Sequence, residues 1–344
     1  MNIPIENIYF LLCYAWDRLK EKDIVSVTGE DVNDLLNLFA KVLVNSTTYL
    51  FKRGLDRYYI EREEVLTGIK GKFDITTTVK QNLLDSKRTA CIFDEFSYNI
   101  LHNQILKTIL CRLLRTKDID PDIYIQIKKI LIKFPAVDEI VIRPSTFKKV
   151  RIHKNNYFYD FVLKVCEIIY NTTFIEEKSG LYKFQDFIRD EVKMAYLFEA
   201  FIRNFYKREL DGYQVTREDI SWDFQALQED ANKYLPIMQT DITIKSADRR
   251  IIIDTKYKKE TLQHCHDTEK IHSSNLYQLF AYLKNVESKD KLGRQCEGIL
   301  LYPTINKEVS LNYKYENHLV KIRTINLNQH WKKIHQDLVG MVEG

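Results

Sequence analysis

The sequence predicts a mixed protein in two parts, an α+β module over residues 1–150 followed by an α/β domain over residues 151–344. Stretches with apolar residues at helical spacing interleave, along the whole chain, with short runs that alternate or stay apolar as strands do. A length of 344 residues fits roughly two domains. No Gly/Ser-rich linker marks the join near residue 150.

In chain order, Ile8, Leu11, Leu12, Ala15 and Leu19 share one helical face, and Pro4 suits the first turn. A second helix is expected after a cap at Asp31, carrying Leu35, Leu38, Phe39, Val42 and Leu43 and stopping at Gly54. Tyr58 to Leu66 reads as a strand, and Gly68 and Gly71 mark a turn or a close backbone approach. Thr89 to Phe96 is a second strand, and Leu101 to Leu114 a strongly periodic helix. Asp118-Ile119-Asp120-Pro121 breaks the pattern before a helix over Ile125 to Phe134, and Pro135 and Pro144 bracket a short strand. Helices follow over Tyr157 to Tyr170 and from Asp190 to Arg208, then strands within Tyr213 to Phe224. A hairpin around residues 239–256, a helix over Ser274 to Lys284, strands over Glu297 to Tyr302 and Asn312 to Ile325, and a helix over Trp331 to Met341 complete the chain.

Composition narrows the class. With 45% hydrophobic and 29% charged residues the chain is ordinary globular material, and a net charge of +4 permits an acidic partner such as DNA without demanding one. Six scattered cysteines without a Cys-x-x-Cys pair read as reduced, intracellular usage. The apolar N-terminus lacks a basic leader, and no run reaches the roughly 20 apolar residues of a membrane span, so a cytoplasmic protein is expected. A Gly-rich phosphate loop is also lacking, which argues against nucleotide hydrolysis by this chain alone.

The chemistry concentrates in the hairpin. If its turn centres on Ala247-Asp248, Lys245 faces Arg250, and counting back places Asp241 opposite Asp254. Side chains so opposed stand roughly 5 Å apart. Two carboxylates at that distance repel unless a cation lies between them, and Mg²⁺, a hard ion, would take both together with the main-chain carbonyl of Thr255. Lys256 falls on the same face as Asp254, roughly 7 Å along the strand, with the Thr255 side chain turned away. Asp241 and Asp254 are thus expected metal ligands, and with Lys256 they form the expected catalytic set for phosphodiester hydrolysis. The competing reading is a solvated surface pair worth under ~1 kcal/mol. Ile251-Ile252-Ile253 argues against it, because such a run marks a strand buried on both faces.

Glu199, on the preceding helix, is either a third acid of the site or part of a solvated face. Gln278 and Tyr282 lie one helical turn apart and can point to one side, the glutamine as a bridge to metal and DNA or as a structural amide. Lys258, Lys259 and Lys270, with His264, His266 and His272, form a basic stretch that either follows a DNA backbone or is simply solvated. His264-x-His266 lacks the further ligands of a zinc site.

These residues resemble the PD-(D/E)xK nucleases, and more closely the McrC family of subunits of modification-dependent restriction systems. The likeness runs from Ile3-Pro4-Ile5-Glu6-Asn7-Ile8-Tyr9 through Arg53-Gly54-Leu55, Gly68-Ile69-Lys70-Gly71 and Leu235-Pro236 to Asp254-Thr255-Lys256-Tyr257, Asn275-Leu276-Tyr277-Gln278-Leu279 and Leu300-Leu301-Tyr302-Pro303. It implies a restriction-endonuclease-like domain with a central mixed sheet flanked by helices, and puts Asp241, Asp254 and Lys256 on the nuclease positions. It further implies a Mg²⁺-dependent endonuclease cutting double-stranded DNA that carries modified cytosine. A hexameric AAA+ GTPase of the McrB type would activate it, and in turn be stimulated by the N-terminal module. Ile237 departs from the pattern, standing where a relative has a basic residue. Two other functions compete, a non-catalytic activator of the GTPase and a stand-alone repair nuclease. The intact acidic pair and lysine speak against the first, and the sizeable N-terminal module against the second.

Overall fold

The computed structural model describes residues 3–18, 34–176, 180–188, 190–258, 263–265, 268–287, 295–305 and 308–343. The chain forms two units, with the later division between Gln185 and Asp186. The first helix, α1 (Ile5–Ala15), buried continuously from Asn7 to Tyr14, belongs to the C-terminal unit. The expected join at 150 thus shifts, for a packing reason: the helix Tyr157–Thr172 buries Phe158, Phe161, Val162 and Val165 among helices of the N-terminal unit.

In that unit α2 (Leu35–Arg53) is capped by Asp34, whose carboxylate accepts from Asn37 N at 2.9 Å. The expected cap, Asp31, lies outside the described residues. Strands β1 (Tyr58–Leu66), β2 (Lys72–Phe73) and β3 (Thr89–Ser97) form an antiparallel sheet in the order β1-β3-β2, with α3 (Ile75–Lys80) between the last two in sequence. Gly71 has φ +69, and a Cβ there would stand 2.5 Å from Ile92 O. Only glycine lets the chain close onto β3 at that point.

Helix α4 (Leu101–Leu114) follows, then α5 (Pro121–Lys133), which begins earlier than its apolar pattern suggests. Asp120 caps it with Pro121 in the first turn, so the apparent breaker is a starter. The strand expected between Pro135 and Pro144 does not form. Side chains serve its backbone instead: Lys107 Nζ donates to Val137 O, Thr108 Oγ1 accepts from Ile140 N, and Tyr170 OH donates to Ile142 O. Helices α6 (Pro144–Lys148) and α7 (Tyr157–Thr172) and the hairpin β4 (Thr173–Ile175)–β5 (Tyr182–Phe184) close the unit.

In the C-terminal unit α1 is joined by α8 (Glu191–Glu209), capped by Asp190 and packed on α1. Its main sheet uses β6 (Gln214–Thr216), β9 (Ile242–Lys245), β10 (Arg249–Thr255), β13 (Gln295–Thr304), β14 (Ser310–Tyr315) and β15 (His318–Asn326). The order is β14-β15-β13-β10-β9-β6, with β10, β13 and β15 mutually parallel and the outer strands antiparallel. Two separate short antiparallel pairs are β7 (Asp219–Ile220)–β8 (Met238–Gln239) and β11 (Gln263–Cys265)–β12 (Thr268–Lys270). Strand character thus ends at Ile220 rather than reaching Phe224, where Asn285 Oδ1 accepts from Asp223 N in place of a ladder partner.

Ile251, Ile252 and Ile253 are fully buried, as their run predicts for a central strand. The crossover from β10 to β13 is α9 (Ser273–Glu287), seated on Gly298, where a Cβ would meet Leu279 and Leu283 at 3.0 Å. Helix α10 (Trp331–Glu343) ends the chain, its Trp331 ring stacked at 4.3 Å on Phe10 of α1. Asn7 Nδ2 donates to the carbonyls of both Leu327 and Gln329 at 2.8 Å.

Candidate functional site

The site lies at the C-terminal end of β10, where open sheets with parallel strands place their ligands. Register follows the turn chemistry as read from the sequence: Arg250 faces Lys245, and pairing runs back to Ile253 opposite Ile242. One step further stand Asp254 and Asp241. Because β9 starts only at Ile242, Asp241 lies just off the ladder. Its Oδ2 accepts from both Thr255 N at 2.8 Å and Thr255 Oγ1 at 2.9 Å. Thr255 therefore does not turn away as the strand period suggested. Its hydroxyl reaches across to the first acid because the carboxylate at the strand mouth swings toward the next residue of β10. A hydroxyl residue inside Asp-x-Lys was the available signal.

Asp254 is wholly buried, and among the described residues neither carboxylate oxygen accepts a hydrogen bond. Lys256 Nζ stands 2.8 Å from its Oδ2, close in distance but not aligned as a hydrogen bond. Burial pushes the Asp254 carboxyl up to about 7; Lys256 opposes this, while Asp241 and Glu199 add to it. A buried carboxylate without donors is costly unless it is protonated or faces a cation. The pair is thus chemically unequal, Asp241 held by two hydrogen bonds and Asp254 by the Lys256 ion pair alone.

Lys256 follows the last residue of β10, its amide still donating to Leu301 O at 2.9 Å. Its ammonium donates to Gln278 Oε1 at 3.0 Å, Gln278 Nε2 to Tyr282 OH at 2.7 Å, and Tyr282 OH to Gln239 O at 2.8 Å. Gln278 and Tyr282 therefore do share a side of α9, linking the lysine to the strand that enters Asp241. Burial, with Asp254 and Asp241 nearby, raises the Tyr282 pKa and keeps the phenol protonated for this link.

Glu199 on α8 is close enough to act on Asp254, but its Oε1 pairs with Arg203 at 2.7 Å and Arg217 at 3.8 Å. Among the described residues no group of three His, Cys, Asp or Glu side chains converges as a metal cage. The two aspartates, both oxygen donors and one lacking any donor of its own, fit a hard divalent cation whose other positions go to water and substrate. Lys258 is half-buried near His272, whose pKa falls through burial and that lysine's charge. Lys270 is exposed at the end of β12, and Ile237 is exposed before β8. Lys259, His266 and the side chain of His264 lie outside the described residues.

A central mixed sheet flanked by helices, with paired aspartates and a lysine at the mouth of its middle strand, has the architecture of a restriction-endonuclease-like domain. The chain belongs to the McrBC family: the model of the McrBC 5-methylcytosine restriction system component matches residues 6–303. It is 33% identical over 341 residues to the type IV methyl-directed restriction enzyme EcoKMcrBC of Escherichia coli (strain K12), covering 99% of this chain and 97% of the relative. A chain in the refined half-complex from the tetradecameric assembly of Thermococcus gammatolerans McrB AAA+ hexamers with bound McrC shares the fold. That match has a TM-score of 0.61 at 15% identity and covers 98% of this chain and 76% of that one. Among the described residues no helix is long and apolar enough to cross a membrane.

Proposed function

We propose that this chain is the Mg²⁺-dependent DNA endonuclease subunit of a restriction system directed at methylcytosine, activated by a AAA+ GTPase partner of the McrB type and stimulating that partner's GTP hydrolysis. The observation that carries the reading is Asp254, buried beside Asp241 with only the Lys256 ammonium, among the described residues, to offset its charge, at the carboxyl end of a parallel strand. Such an arrangement is unstable as a mere structural element and useful as a cation seat.

Asp241 and Asp254 would hold the ion. When bound, Mg²⁺ supplies Lewis acidity, lowering the pKa of water and neutralising charge on phosphorus. Lys256, held between Asp254 and Gln278, presents an ammonium where negative charge grows on the scissile phosphate. Gln278 and Tyr282 fix that ammonium, and Thr255 fixes the Asp241 carboxylate. Net chemistry is addition of one water across a phosphodiester P–O bond of double-stranded DNA. Lys258, Lys259 and Lys270 would contact the DNA backbone. Partner docking falls to the N-terminal unit, and the buried thiols of Cys91 and Cys166, with no disulfide among the described residues, suit the reducing cytoplasm.

Asp254→Ala, assayed with partner, GTP, Mg²⁺ and methylated DNA, is expected to lose cleavage while stimulation of the partner's GTPase survives. Retained cleavage would overturn the site. Cleavage by wild-type chain alone would instead favour a stand-alone nuclease.

A further inference from the structure

The N-terminal unit contains a groove that the nuclease reading does not use. Helices α2 and α5 run side by side and are pinned at both ends. At one end Asn37 Nδ2 donates to Asp118 O at 3.2 Å and its Oδ1 accepts from Asp120 N at 2.9 Å; at the other, Phe51 and Phe134 meet edge to face at 5.4 Å. Between the pins lies a cavity of about 570 Å³. Val44, Phe51 and Ile130 form its apolar floor, and Lys52, Lys129 and Lys133 its exposed rim.

Charge on these two helices is one-sided. The two helices carry Lys41, Lys52, Arg53, Lys128, Lys129 and Lys133 against Asp122 alone. Among the described residues none of the three rim ammonium groups has a carboxylate within ion-pair distance, so three cations stand un-neutralised around one apolar floor. The helix dipole accounts for lysine in the last turns, at Lys52 and Lys133, but not for Lys129 or for the gap itself. Two pinned helices that leave an apolar trough between unneutralised cations present a built surface with no complement among the described residues.

We infer that this groove is the docking site for an acidic amphipathic helix of a protein partner, its apolar side chains on Val44, Phe51 and Ile130 and its carboxylates on Lys52, Lys129 and Lys133. A DNA backbone would satisfy the lysines but leave the apolar trough empty, whereas a helix with one apolar stripe fills both requirements. The inference stands apart from the nuclease site and does not depend on it.

The test uses the full chain and two stapled helical peptides of about 15 residues, stapled because free helices of that length are marginal. Both carry leucines along one face; one is flanked by glutamates, the other by lysines. Binding is read by fluorescence anisotropy, with labelled duplex DNA as a third probe. The glutamate peptide is expected to bind and the lysine peptide not. Lys129→Glu with Lys133→Glu should weaken the glutamate peptide about tenfold or more. Thr48→Trp, which fills the groove without altering charge, should do the same while leaving duplex binding unchanged. Circular dichroism confirms that each variant is folded. No glutamate-peptide binding, binding unaffected by both variants, or loss of duplex binding in their place overturns the proposal.

Discussion

Replacing Asp254 by asparagine is expected to stabilise the metal-free protein increasingly as pH rises. In the unfolded chain the carboxyl ionises near 3.8, whereas burial holds it protonated to about 7 in the fold. Below the first value both states carry the proton, and the group contributes nothing. Between the two, folding must take up a proton, so stability falls by about 1.4 kcal/mol per pH unit, and above the second the loss is constant. The gap of roughly three units corresponds to about 4 kcal/mol at pH 8 and to roughly 1.5 kcal/mol at pH 5. Asparagine removes the titration and adds only a pH-independent packing change. Urea denaturation of both proteins in chelator, at about pH 5 and about pH 8, should therefore show the variant gaining roughly 3 kcal/mol relative to wild type between the two. Mg²⁺ at the higher pH should close the gap by stabilising wild type alone. A difference flat with pH to within about 1 kcal/mol would refute the view that burial outweighs Lys256 and holds the Asp254 carboxyl protonated.

Thr255→Val keeps the main-chain donor to Asp241 but removes the hydroxyl. Divalent-ion affinity, measured calorimetrically with Mn²⁺, should fall about tenfold, on the order of 1.5 kcal/mol for one hydrogen bond to a charged acceptor, and Thr255→Ser should restore it. Unchanged affinity in the valine variant would remove Thr255 from the site. Glu297, 3% exposed, joins Arg249 at 2.7 Å to Lys321 at 3.1 Å across three parallel strands. Its replacement by alanine strands two cations and should cost about 3–5 kcal/mol in chemical denaturation; a loss below about 1 kcal/mol would show that the trio relaxes into solvent.

What could be read from the sequence was local. The β9–β10 register followed from a four-residue polar turn, and the burial of β10 from three consecutive isoleucines. Helix α9 and the shared side of Gln278 and Tyr282 followed from helical period alone. What escaped depended on partners far away in the chain. Val137 to Ile142 has strand composition, yet Lys107, Thr108 and Tyr170 take its backbone groups. Glu199 could be placed near the acids but not seen to be claimed by Arg217. The join near 150 failed because periodicity shows that a helix has an apolar face, not which unit that face belongs to.

That limit has a temporal side in α1. Asn7 finds its acceptors 320 and 322 residues further along, and the Phe10 ring finds Trp331. On the ribosome α1 is made before the whole N-terminal unit, yet its apolar face stays uncovered until α8 and finally the C-terminal segment are synthesised. Folding of the nuclease-like unit must bring together segments 320 residues apart, with the slow closure that so long a loop imposes. A chain cut short before Leu327 would thus leave the α1 face uncovered and the nuclease-like unit unfinished, however intact the strands that carry the site.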